Sequence, residues 1–107
     1  MMKVYIVDID GTICNQVKSK KGFSDYNKAK PIIERIKKIN KLFDEGNEIH
    51  YWTARGSVTG MNHLELTTSQ LKSWGCKYTS LRVGDKPHYD AWIDDKAVWS
   101  EEYFRSY

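Results

Sequence analysis

The sequence predicts a small α/β domain, a parallel sheet with helices packed against it. Two observations carry that expectation. Short apolar runs with strand character alternate with segments whose apolar residues recur every three or four positions. The runs also stop at polar turn residues, and the connections between most of them are long enough for right-handed crossovers. The 107 residues suit one domain. We find no internal repeat, low-complexity tract or linker, so the expected unit is 1–107.

Val4-Tyr5-Ile6-Val7-Asp8-Ile9-Asp10-Gly11-Thr12 is the stretch around which the rest is arranged. Its first four residues favour a strand, and being apolar on both faces they predict a buried, central one. Alternation sends Asp8 and Asp10 to the same side. Residues 13–30 are polar and rich in lysine and turn formers, which predicts a loop or short hairpin over the strand end. Pro31 suits a helix start. After it Ile32, Ile33, Ile36, Ile39, Leu42 and Phe43 form one amphipathic stripe, and Gly46 caps it. Glu48–Thr53 reads as a second strand, followed by the turn Thr53-Ala54-Arg55-Gly56. Asn62 to Trp74 reads as a second helix, with Leu64, Leu71 and Trp74 inward and Gly75 as its stop. Ser80–Val83 is expected as a third strand and Tyr89–Ile93 as a fourth, ending at Asp94-Asp95. A last helix over 96–104 packs through Val98, Trp99 and Phe104.

Composition narrows the function classes. No apolar run is long enough for a membrane span, and the first residues lack a signal peptide's apolar region. Cys14 and Cys76 form no CxxC pair, which points to a reduced, cytoplasmic protein. The formal net charge is +3, with much of the excess between Lys18 and Lys41. We read that lysine run as a solvated face rather than a nucleic-acid track.

Three strand ends bear chemistry. The first carries Asp8 and Asp10, the second Thr53 with Arg55 close behind, and the fourth Asp94 and Asp95, with Lys86 on the turn before it. Parallel strands present these ends along one edge, where open sheets bind ligands. Carboxylates so close repel one another unless a hard divalent cation lies among them, and oxygen donors beside a phosphate point to magnesium. A hydroxyl, a lysine and backbone amides then suit the phosphate oxygens. One carboxylate is free to attack phosphorus and another to move a proton.

Asp8-Ile9-Asp10-Gly11-Thr12, with Thr53, Lys86 and Asp94-Asp95 following in order, resembles the motif set of the haloacid dehalogenase (HAD) superfamily of phosphatases. Tyr51-Trp52-Thr53-Ala54-Arg55-Gly56, residues 66–75 and Trp92-Ile93-Asp94-Asp95-Lys96-Ala97 are similar to small bacterial phosphatases of capsule and surface-polysaccharide synthesis. The resemblance implies a Rossmann-like, HAD-type sheet without a cap domain. It implies a magnesium-dependent phosphomonoester hydrolase acting on a small sugar or polyol phosphate. In that reading Asp8 is the nucleophile and forms an aspartyl-phosphate, while Asp10 is general acid and then base. Asp8, the Asp10 backbone carbonyl and Asp94 or Asp95 hold the metal. Thr53 and Lys86, with Gly11 and Ala54, bind phosphate. Without a cap, substrate selection falls to residues 13–30, to the loop after Thr53, or to a neighbouring subunit of a homo-oligomer. Lys18, Lys20 and Lys21 are the expected contacts from the first of these. Arg55 suits a substrate contact or a structural ion pair equally well. The alternatives are a phosphatase of nucleotide or polynucleotide ends and a non-catalytic phosphate-binding module. His50 and Cys14 are read as structural.

Overall fold

Val4-Tyr5-Ile6-Val7 extends because aromatic and β-branched side chains fit a pleated, half-buried surface. A computed structural model describes residues 2–19 and 24–106. Strand β1 (Val4–Val7) runs parallel to β2 (Glu48–Thr53), which runs parallel to β3 (Ser80–Val83), so β2 is the centre of a three-stranded sheet. The register pairs Val7 with Tyr51 and Thr53 with Val83. All three strands therefore deliver their carboxyl ends to one edge. In β2, Ile49, Tyr51 and Thr53 are buried and alternate with half-buried residues, the period-two pattern of a sheet with one well-covered face.

Three helices, α1 (Ile33–Asp44), α2 (Leu64–Ser73) and α3 (Ser100–Ser106), flank this sheet. Helix α1 buries Ile36 and Ile39, and α2 buries Thr67 and Leu71. With Val7, Ile9, Ile13, Cys14, Ile49 and Tyr51 the apolar members make one core. Gly46 ends α1 in the left-handed region at φ 98°, where Asn47 N–H donates to Leu42 O at 3.1 Å. That is the glycine stop the sequence predicts.

Several expectations need correction. Among the described residues strand β1 is an edge strand, not a central one, since it pairs with β2 alone, and its Val4 and Ile6 face is open, at 58% and 62% exposed. The fourth strand does not form. Trp92 instead packs edge-on against Trp52 and Tyr89 and donates its indole N–H to Asp94. Side-chain contacts at the sheet's end thus hold Tyr89–Ile93 without a backbone ladder, and Ile93 is 96% exposed. Two apolar residues of the predicted helical stripes, Ile33 and Leu64, are exposed. Helix α3 starts four residues later than predicted, at Ser100, so Val98 and Trp99 lie before it and are exposed, while Phe104 packs against the core. Arg35 joins α1 to α3 through Glu101 at 2.8 Å.

Residues 13–19 and 24–30 run back against each other. Asn15 N–H donates to Lys30 O at 3.0 Å, Lys30 N–H to the Asn15 side chain at 2.7 Å, and Asp25 N–H to Val17 O at 2.7 Å. Of the loop or short hairpin expected here, the described residues show two arms paired as in a hairpin, and Ile13 O, accepting from Ile32 N–H at 2.8 Å, ties their base to the start of α1.

Candidate active site

At the end of β1, Ile9 is fully buried and points away from the edge, which leaves the flanking Asp8 and Asp10 facing it together. The turn behind them is tight. Thr12 and Ile13 both donate to Ile9 O at 3.0 Å, and Gly11, at φ 77°, donates to Cys14 O at 2.9 Å. At the end of β2, Thr53 and Arg55 are each 1% exposed. The chain then turns sharply at Gly56, φ 84°, where an added Cβ would lie 2.1 Å from Met61 O. Only glycine permits that close approach. Beyond β3, Gly84 N–H donates to Thr53 O at 3.2 Å, which sets the following turn and Lys86 next to β2.

These pieces meet around a cavity of about 230 Å³. Asp8, Asp10, Thr53, Ala54, Arg55 and Lys86 form its floor. Gln16, Val17, Ser24, Asp25 and Tyr26 form one wall, and Pro87, His88 and Tyr89 the other.

The two aspartates are held very differently. Asp8 accepts from Thr12 Oγ1 and from Lys86 Nζ, both at 3.4 Å. These are long contacts that leave its oxygens free for other partners. Asp10 is gripped. Arg55 Nε donates to Oδ2 at 2.9 Å and Nη2 to Oδ1 at 2.8 Å, a bidentate pair. The guanidinium is itself fixed: Nη1 donates to Thr67 Oγ1 at 3.2 Å and to Gln70 Oε1 at 2.5 Å, and the Tyr26 ring centroid lies 4.7 Å away. Gln70 Nε2 donates in turn to Tyr26 O at 2.6 Å. Burial disfavours the Arg55 charge, but the hydrogen bonds and charge of Asp10 more than offset it, so the Arg55 pKa is raised.

Arg55 therefore lines the cavity as the partner of Asp10, with most of its donors on protein groups, so the ion pair that the sequence offers as one of its two roles is present. Lys86 and Thr53 stand on the floor as predicted, and so does Ala54. Thr53 Oγ1 also accepts from Arg55 N–H at 3.3 Å. Gly11 supplies the turn and lies behind the cavity, its carbonyl accepting from Ser100 Oγ at 3.3 Å. Lys18 is exposed, bridged to Ser24, and does not line the cavity, while Lys20 and Lys21 lie outside the described residues. Asp94 and Asp95 are also exposed and off the cavity; Asp94 accepts from Trp92 and from Lys96 N–H. The fourth strand expected to end at them does not form. Among the described residues no cluster of three acidic, histidine or cysteine side chains forms a ready metal cage.

Sequence reasoning missed Tyr26, Thr67 and Gln70, which hold Arg55. Their signal was faint. Thr67 and Gln70 are three apart on α2, two polar groups on a face that also carries buried Leu71.

Cys14 is fully buried, its Sγ 3.5 Å from Asp10 Oδ1. Burial and the neighbouring Asp10 charge push its thiol pKa up to about 12, and burial pushes Cys76 up to about 11. Only the thiolate is nucleophilic. Iodoacetamide at pH 8 is therefore expected to label neither cysteine until the protein unfolds. Mass spectrometry of native and urea-treated protein checks this, and rapid native labelling of Cys14 would refute its structural role.

No protein-family model and no curated protein matches the chain. Among solved structures, the crystal structure of a Vibrio cholerae target protein is similar, with TM-score 0.79 and 30% sequence identity. The match covers 99% of this chain and 89% of that one. It carries a fold and a kinship, and no activity.

Proposed function

The chain belongs to one family with the Vibrio cholerae protein, and we propose that it is a magnesium-dependent phosphomonoester hydrolase of the HAD type. The observation that supports this most is the unequal hold on the two aspartates. Asp8, loosely contacted beside Lys86, suits a nucleophile; Asp10, clamped by Arg55, is held in one fixed position beside it, and its acid and base role is what the motif resemblance implies. The motif resemblance points the same way.

In this reading the substrate phosphate sits on the floor, its oxygens taken by Lys86, the Thr53 hydroxyl and backbone amides near Ala54. Asp8 attacks phosphorus and the P–O bond to the leaving group breaks, giving an aspartyl-phosphate. Asp10 delivers a proton to the departing oxygen. Water then attacks the phosphorus, Asp10 takes its proton, and phosphate leaves with Asp8 restored. The donors present fit magnesium, which needs only one or two carboxylates when waters and a substrate oxygen supply the rest. The Asp8 carboxylate and the Asp10 backbone carbonyl would hold it, and bound there it offsets the charge between phosphate and carboxylate. Asp94 and Asp95, which the resemblance offers as the further ligand, stand off the cavity.

The family resemblance supports a small sugar or polyol phosphate of surface-polysaccharide synthesis as the substrate. A cavity of about 230 Å³ is below the roughly 300–1,000 Å³ of drug-sized sites, which also favours a small one. The expected result is hydrolysis of p-nitrophenyl phosphate with magnesium, loss with EDTA and recovery on re-addition of the metal. Binding of phosphate without any turnover would leave only a phosphate-binding module.

A further inference from the structure

The wall made by Pro87, His88 and Tyr89 continues out of the cavity as a row of rings. Tyr89 and Trp92 have centroids 5.3 Å apart at 72°, and Trp92 meets Trp52 edge-on at 6.2 Å. Tyr89 and Trp92 are each 44% exposed. Lys86 Nζ, the cation beside Asp8, lies 5.9 Å from the Tyr89 ring centroid, so the row begins at the reaction centre.

The polar handles of these indoles are occupied. Trp92 Nε1 donates to Asp94 Oδ2 at 3.2 Å and Trp52 Nε1 to Asp85 Oδ1 at 2.7 Å. That fixes the rings and leaves apolar π surface at the mouth of a polar cavity. The wall opposite offers Gln16, Ser24 and Asp25. A ligand with one apolar C–H side and a rim of hydroxyls matches both walls, because a weakly positive C–H face suits the negative face of an aromatic ring. A pyranose has that shape; an acyclic polyol has no such face.

Charge argues against a nucleic acid on this row. From residue 82 to 96 the carboxylates Asp85, Asp90, Asp94 and Asp95 meet only Arg82, Lys86 and Lys96. Arg82 is paired with Asp85, and Lys86 with Asp8. Hydrogen bonds from Arg82 and Trp52 hold the Asp85 carboxyl below the usual range, so it stays ionised. A strand of phosphates needs free cations along its path, and here they are outnumbered.

We propose that Tyr89 and Trp92 form a sugar-binding lip that stacks on the pyranose ring of a phosphorylated sugar while its phosphate occupies the floor. This rests on the phosphatase reading for the place of the phosphate, but the lip is testable without turnover. In an Asp8→Asn background, calorimetry should find glucose 6-phosphate or mannose 6-phosphate binding at least about tenfold tighter than glycerol 3-phosphate, the scale of one good aromatic contact. Tyr89→Ala and Trp92→Ala should each shrink that ratio. Tyr89 lies in an exposed irregular segment, so its variant serves if Trp92→Ala loses its thermal transition. No preference for either hexose phosphate, or a preference that survives both substitutions, overturns the lip. Tighter, salt-sensitive binding of phosphorylated oligothymidylate overturns it in favour of a polynucleotide end. The two readings fail separately: absent magnesium-dependent turnover of acetyl phosphate with the preference intact sinks only the phosphatase, and the reverse sinks only the lip.

Discussion

Asp8→Asn is expected to lower turnover of p-nitrophenyl phosphate by about 10³-fold or more, since removing a nucleophile leaves only binding and electrostatic assistance. An amide keeps the shape of the carboxylate but does not attack phosphorus. The fold should be barely affected. Among the described residues Asp8 makes two side-chain hydrogen bonds, to Thr12 and Lys86, each at 3.4 Å, and contacts that long contribute little. Acid-quenched reactions with labelled substrate should trap phosphate on the wild-type protein and none on the variant. A variant retaining a tenth of wild-type turnover, with an unchanged melt, would remove Asp8 from the nucleophile's role.

Arg55→Lys is expected to cost both stability and rate, for separable reasons. Lysine keeps a charge but not the two-pronged grip, and it has no geometry with which to bond Asp10, Thr67 and Gln70 together. The Arg55 side chain is 0% and that of Asp10 14% exposed. Breaking such a pair outright, as in Arg55→Leu, costs about 3 kcal/mol, the lower end for buried pairs because Asp10 still reaches the cavity. The kinetic effect works through Asp10, so it should carry a leaving-group signature. A poor alkoxide leaving group needs its proton and an aryl oxide needs it less. Single-turnover phosphorylation by a sugar phosphate should therefore fall about 10²-fold, and by p-nitrophenyl phosphate much less. Asp10→Asn should share that signature with a larger split. Equal losses on both substrates, with Asp10→Asn behaving differently, would mean that Arg55 serves the fold alone.

Some of this protein was legible in the chain because the physics is local. Strands β2 and β3 follow from runs of β-branched, aromatic and alternating residues, and their ends coincide with those predicted. The stop of α1 at Gly46 follows from the one residue that enters the left-handed region freely. Asp8 and Asp10 share a side because side chains alternate along extended backbone, and Lys86 and Thr53 join them because parallel strands end on one edge.

Tertiary structure decided the rest. Whether β1 is central depends on a neighbour elsewhere in the chain, and Tyr89–Ile93 forms no strand, its Trp92 packing on Trp52 and Tyr89 instead. Asp94 and Asp95 stay off the floor. Of the expected contacts Lys18, Lys20 and Lys21, Lys18 is the one among the described residues and it is exposed, while Gln16, Ser24, Asp25 and Tyr26 line the cavity. The hold on Asp10 was the least legible feature. It needs Arg55 from the end of β2, Thr67 and Gln70 from α2 and Tyr26 from the hairpin. A buried guanidinium is tolerated only when its charge is paired and its donors are largely satisfied, and only the folded chain brings those partners to one place.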